Sequence, residues 1–155
     1  MEGVGRLSWR RIFLLLSWTV GCATPSVLTG TPMKNTSCSQ LPTIEECQSA
    51  AAVIDNACVR QCVAAQCAGA QIDCGEYIQK KCQQLNEQRG ARVGGFVVRS
   101  GQTCQKPKFE IGWCELPMSR ECRAKALVHE LAHACGWSHG EGGNVPGEQG
   151  KLQCK

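Results

Sequence analysis

The first patterned stretch of the chain is a mostly apolar run, Ile12 to Val20, which follows Arg6, Arg10 and Arg11 and precedes Gly21-Cys22-Ala23. A membrane-spanning helix needs about 20 apolar residues, and this run falls well short. A basic start, a short apolar centre and small residues after it have the order of a secretory signal, so residues 1–23 are expected to direct export. Residues 24–42 lose this pattern and are rich in Thr, Ser, Pro and Gly, the composition of a flexible leader. At Thr43 helical signals begin. Thr43-Ile44-Glu45-Glu46 is a capping-box sequence, and the Ala-rich stretch after it predicts a helix to about Cys67. Asp73-Cys74-Gly75-Glu76 opens a second helix to about Gln88, closed by Gly90, and the loop around Gly69 would fold the two into a helical hairpin. Val93, Phe96, Val97 and Val98, then the alternating Phe109-Glu110-Ile111-Gly112-Trp113, predict two short strands paired as a hairpin. Pro117 and Ser119 introduce a last helix from about Ser119 to Cys135, which Gly136 ends; Gly140 to Lys155 is Gly-rich and predicted irregular. The pattern as a whole predicts one α+β domain over residues 43–155, with no internal repeat.

Cysteine content changes this picture from a small core to a cross-linked one. The chain has 13 cysteines, and Cys22 falls in the export segment, which leaves an even number for the mature domain. So many in a small exported chain indicate a disulfide framework and an oxidising compartment, either periplasm or cell exterior. A thiolate metal site is disfavoured because no C-x-x-C pair occurs. Cys47, Cys58 and Cys62 are spaced to share one face of the first predicted helix, and Cys74 and Cys82 one face of the second. An antiparallel hairpin would then pair Cys67 with Cys74 and Cys58 with Cys82. Seven of these cysteines precede Gly90 and five follow it, so complete pairing within one chain requires a bridge between the halves.

Charge adds little. The formal net charge is +4, but Arg6, Arg10 and Arg11 lie in the signal, and no basic patch with interleaved aromatics follows. Nucleic acid is therefore excluded as the expected partner. Membrane association is expected only through a lipid on Cys22, since Thr19-Val20-Gly21-Cys22 resembles a bacterial lipobox; ordinary cleavage is the open alternative. Arg10-Arg11-Ile12-Phe13-Leu14 also resembles the core of a twin-arginine signal. Asn35-Thr36-Ser37 fits a glycosylation acceptor in a eukaryotic host.

The candidate chemistry sits in one place. The chain has three histidines, His129, His133 and His139, and all fall within eleven residues. His129 and His133 are one helical turn apart, so both imidazoles face one ion. Glu130 stands beside them. Gly136 permits the sharp turn that brings His139 back as a third ligand. Three neutral imidazoles leave one tetrahedral position open, the layout of a catalytic rather than a structural zinc site. Asp cannot be the third ligand, since none follows Asp73, and Glu141 and Glu148 are weaker candidates on a Gly-rich segment.

His129-Glu130-x-x-His133-x-x-Gly136-x-x-His139 is similar to the elongated signature of the metzincin zinc metallopeptidases, over about residues 109–140. The resemblance implies a small zincin-like domain, Zn2+ on His129, His133 and His139, and Glu130 as catalytic base for a zinc-activated water. It implies a secreted metalloendopeptidase, rather than an exopeptidase, that acts as a monomer on a peptide or protein substrate. The family's methionine turn has no counterpart: the last methionine is Met118, and the only tyrosine is Tyr77. A cysteine-rich binding or inhibitory module with a structural zinc is the reading from another class. A toxin-like effector using the same peptidase chemistry is a third. Trp113 and Trp137 are expected in the core or the cleft wall, and Cys135 in a disulfide.

Overall fold

The computed structural model describes residues 38–90, 93–99, 110–150, 152 and 154; the expected signal (1–23), residues 24–37 of the leader with the Asn35 acceptor, and Cys104 lie outside the described residues. Helix α1 (Ile44–Ala51) starts where the capping box requires. The Thr43 hydroxyl accepts from the Glu46 N–H at 3.2 Å, and the Glu46 carboxylate accepts from the Thr43 N–H at 2.8 Å. These reciprocal bonds satisfy two amides that a helix start leaves without partners.

The expected single helix to Cys67 is two. Helix α2 (Ala57–Gly69) begins afresh because the Asn56 side chain accepts from the N–H groups of Cys58 and Val59. An Asn in this cap position competes with continued helix and wins here, since Ile54 is fully buried and the Asp55 N–H donates to the Gly143 carbonyl at 2.9 Å. The break puts Cys47 on α1 and Cys58 and Cys62 on α2, so the three do not share one helix face, and Cys58 is exposed while Cys47 and Cys62 are buried.

Strand β1 (Gln71–Asp73) was hidden between two helical patterns. It carries the chain away from α2, so α3 (Glu76–Arg89) packs on the sheet and the hairpin partners are α1 and α2. Gly90 closes α3 at φ 60°, as expected of a glycine there. Strands β2 (Gly95–Arg99) and β3 (Glu110–Trp113) pair antiparallel as predicted, and β1 joins β3 in parallel, giving the order β1-β3-β2. Helix α4 (Arg120–Ala134) starts at the predicted Ser119, whose hydroxyl accepts from the Cys122 N–H. Among the described residues the fold is thus mixed α/β, with four helices and one three-stranded sheet.

Helix α4 is the central element, packed between α1 and α2 on one side and β2 on the other. Leu127, Val128 and Leu131 are fully buried with Ile54, Val63, Ile72, Ile111 and Trp113. Each such side chain contributes roughly 1.5–3 kcal/mol on leaving water, and together they fix the rotation of α4 about its axis. That rotation decides where His129, Glu130 and His133 point.

Disulfides correct the predicted pairing. Cys67 bonds Cys47 and Cys74 bonds Cys38, not each other; Cys82 bonds Cys114 and not Cys58. The predicted pairs assumed an α2–α3 hairpin that β1 prevents. Bridges between the halves do occur: Cys62–Cys135 ties α2 to the end of α4, and Cys82–Cys114 ties α3 to the end of β3. Cys122–Cys154 tethers the irregular tail to α4. The five disulfides among the described residues fit an oxidising environment. No helix among the described residues is long and apolar enough to cross a membrane.

Candidate metal centre

The end of α4 builds the site. The Gly136 N–H bonds the His133 carbonyl and the Trp137 N–H bonds the Ala132 carbonyl, both at 3.0 Å. With Gly136 at φ 91°, this is a Schellman C-cap, and it reverses the chain within two residues. A side chain at position 136 would strain that conformation. Reversal puts Trp137 under the helix end and returns His139 toward His129 and His133. One nitrogen from each of the three imidazoles lies within 4.8 Å of the others, so the cluster could hold a metal ion. Glu141 and Glu148 do not join this cluster.

Hydrogen bonds define the state of the rings. His129 Nδ1 lies 2.7 Å from the Pro146 carbonyl, His133 Nδ1 3.0 Å from the Trp137 carbonyl, and His139 Nδ1 3.4 Å from the Glu148 carbonyl. A carbonyl only accepts, so each Nδ1 carries the proton and donates it. In a neutral ring Nε2 is then a bare lone pair. Burial lowers the His129 pKa to about 4, an effect that the Pro146 bond opposes and that nearby His133 and His139 reinforce. Burial also lowers His133, with the Trp137 bond opposing. Both rings are therefore neutral at pH 7.

The Nε2 atoms of His129 and His133 face each other at 3.2 Å. With both protons committed to carbonyls, two lone pairs meet there and repel unless a cation lies between them. Nitrogens bound tetrahedrally at zinc distances sit about 3.3 Å apart, which the observed spacing matches. The donor set thus fits a borderline metal such as zinc, and the carbonyl partners are the outer supports that orient metal-binding imidazoles.

Trp137 is 3 % exposed, and its ring centroid lies 5.6, 4.9 and 5.1 Å from those of His129, His133 and His139. Its indole N–H donates to the Gly142 carbonyl at 3.0 Å, which ties the Gly-rich loop to the site. Trp137 is therefore a floor shared by all three imidazoles, more specific than the core or wall position expected. The three carbonyl partners were not foreseen, because backbone atoms leave no residue-type signal.

Glu130 faces a cleft of about 580 Å³ that His129 and His139 also line. Gly95 of β2 lets the strand pass close by: a Cβ there would lie 3.0 Å from the Glu130 Cγ. Burial pushes the Glu130 carboxyl up to about 7, and the positive charge of Arg89 works against that shift. A carboxyl with a pKa near neutrality can both accept and return a proton.

No model of a known family matches this chain, and comparison with curated proteins and with solved structures also gives no match. Fold and site alone therefore define its class: a disulfide-bonded α/β domain with three histidines able to hold a metal ion.

Proposed function

We propose that this chain is an exported, zinc-dependent metallopeptidase of metzincin-like type, an endopeptidase acting as a monomer. The observation that carries the proposal is the set of three converging imidazoles, each with Nδ1 held by a backbone carbonyl, beside a desolvated carboxyl in a cleft that His129 and His139 line. His129, His133 and His139 hold the ion through Nε2. Zinc bound there supplies a Lewis acid that acidifies water and polarises a carbonyl. Glu130 takes the proton from the water that attacks the peptide carbonyl, then delivers it to the departing amine nitrogen. Trp137 keeps the three rings from rotating, and β2 closes one side of the cleft. Export is the compartment that suits five disulfides, whether the N-terminus is cleaved or lipidated at Cys22.

The test is cleavage of a peptide library by the oxidised, zinc-quantified chain, run beside Glu130→Ala and a chelated sample. Cleavage that requires both zinc and Glu130 supports the peptidase. One zinc per chain without cleavage transfers support to a binding or inhibitory module with a structural zinc. A chain that binds no zinc sinks both.

A further inference from the structure

The cleft beside the histidines has an uneven lining. Val93, Met118, Ala126 and Leu152 make apolar wall, and Gly94 lets the chain pass close to it, since a Cβ there would lie 3.1 Å from the Ala126 Cβ. Apart from the histidines, two ionisable groups line it among the described residues, Glu130 and Arg89. Arg89 stands in the last turn of α3, where a cation suits the negative end of the helix. That accounts for a positive residue at this position but not for its place in the lining of the cleft.

Partners of the other arginines sharpen the point. Arg60 donates to the Ile54 carbonyl, Arg120 pairs with Glu46, and Arg123 donates to Gln40. Among the arginine side chains described, Arg89 alone makes no such bond. Its guanidinium is a planar, permanently charged fork suited to a carboxylate. The nearest candidate within the cleft, Glu130, forms no ion pair with it at 4.0 Å or less, since the described ion pairs involve other residues. An apolar wall edged by a guanidinium that makes no hydrogen bond or close ion pair among the described residues fits a short methylene stem ending in an anion.

We infer that Arg89 selects substrates carrying a carboxylate close to the scissile bond, either an acidic side chain or a chain terminus. This rests on the peptidase reading above. A neutral group in that place would gain nothing from the Arg89 charge, and a basic one would be repelled by it. Arg89 is exposed and outside the packed core, so its replacement leaves the fold intact.

The test measures binding apart from turnover. Three fluorescein-labelled hexapeptides are titrated by polarisation against the full oxidised chain carrying Glu130→Gln, with and without zinc. One has central Glu and an amidated end, one has central Gln and an amidated end, and one has central Gln and a free carboxylate. At least one carboxylate peptide should bind about five- to tenfold more tightly than the neutral one, an exposed charge pair made somewhat stronger by fork geometry. The preference should persist without zinc, fall to within about twofold in Arg89→Gln, and return largely in Arg89→Lys. The peptide that gains identifies the source of the carboxylate. Equal binding of all three, no measurable binding, or a preference that survives Arg89→Gln overturns the inference. If zinc-loaded wild-type chain fails to cleave the preferred peptide while the preference stands, the peptidase reading fails and Arg89 keeps its role.

Discussion

The α1–α2 pair and the loop after Gly136 both press on α4, yet they are held in different ways. The helices are fastened covalently, by Cys47–Cys67 between them and by Cys62–Cys135 from α2 to the end of α4. The loop from Gly136 to Gly150 has no disulfide within it; backbone conformation and single hydrogen bonds hold it in shape. Gly136, Gly140, Gly142, Gly143, Gly147 and Gly150 all have positive φ, and Asn144 joins them at φ 56°. The first region sets how stable the domain is, and the second sets where the three imidazoles point. Stability and site geometry should therefore respond to different substitutions.

Removing Cys62–Cys135 is the largest blow to the first region. The bridge joins residues 73 apart, and closing a loop of that length constrains the unfolded chain by about 4 kcal/mol. The Cys62→Ala, Cys135→Ala double variant should lose about that much in urea unfolding of the metal-free oxidised protein. Cys135 sits directly before Gly136, so some loss of zinc affinity will accompany the change. A loss below about 1 kcal/mol would mean that packing alone holds α2 against α4.

The same contrast explains what could be read from the sequence. Residue types that declare their role were legible: the Thr43 capping box, the Ser119 start of α4, the glycine ends at Gly90 and Gly136, and the three histidines. The break at Asn56 was not, because Ala-rich sequence on both sides favours helix and buried Ile54 settles the matter only in the folded chain. Strand β1 is three residues long, too short for alternation to register, and missing it misdirected the cysteine pairing. The support of the imidazoles by the Pro146, Trp137 and Glu148 carbonyls was invisible for a different reason. Every residue carries a backbone carbonyl, so its position in the fold alone creates the contact.

A smaller effect comes from Glu130, where the site works against the scaffold. Its folded pKa of about 7 lies above the unfolded value of 4.5. The folded state therefore holds the proton more tightly, and the stability gained is present below pH 4.5 and lost as pH rises through 7. The residue opens to the cleft, so the full shift overstates the loss, and about 2 kcal/mol is the expected size. His129 has the opposite sign. Its folded pKa of about 4 lies below 6.5, so its contribution is lost as pH falls from 6.5 toward 4. The two trends offset each other between pH 4.5 and 6.5 in the metal-free wild type. Glu130→Gln removes only one of them. Relative to wild type, that variant should gain stability steadily between pH 4.5 and 7.5, measured by urea unfolding without metal. A difference that stays constant across this range would show that the carboxyl is not desolvated.

The smallest expected effect is the most selective for the second region. Gly147 has φ 79°, and a Cβ there would lie 3.1 Å from Leu152 Cδ2 and 3.2 Å from His129 Nδ1. Its neighbour Pro146 supplies the carbonyl that orients His129. Gly147→Ala should thus shift either the ring or its acceptor and weaken zinc binding about tenfold, the lower end for loss of an outer-shell support. The backbone strain should cost about 1 kcal/mol of stability. Gly150→Ala is the matched control, since Gly150 has φ 77° but nothing lies within 4 Å of the added Cβ. It should carry the same backbone strain and leave zinc affinity within about twofold. Competition titration with a chelator of known affinity compares the two. Equal weakening would mean that the loop acts only through its backbone strain. Weakening confined to Gly147→Ala would tie ligand geometry to the Pro146 carbonyl, independent of the disulfides that hold the rest of the domain.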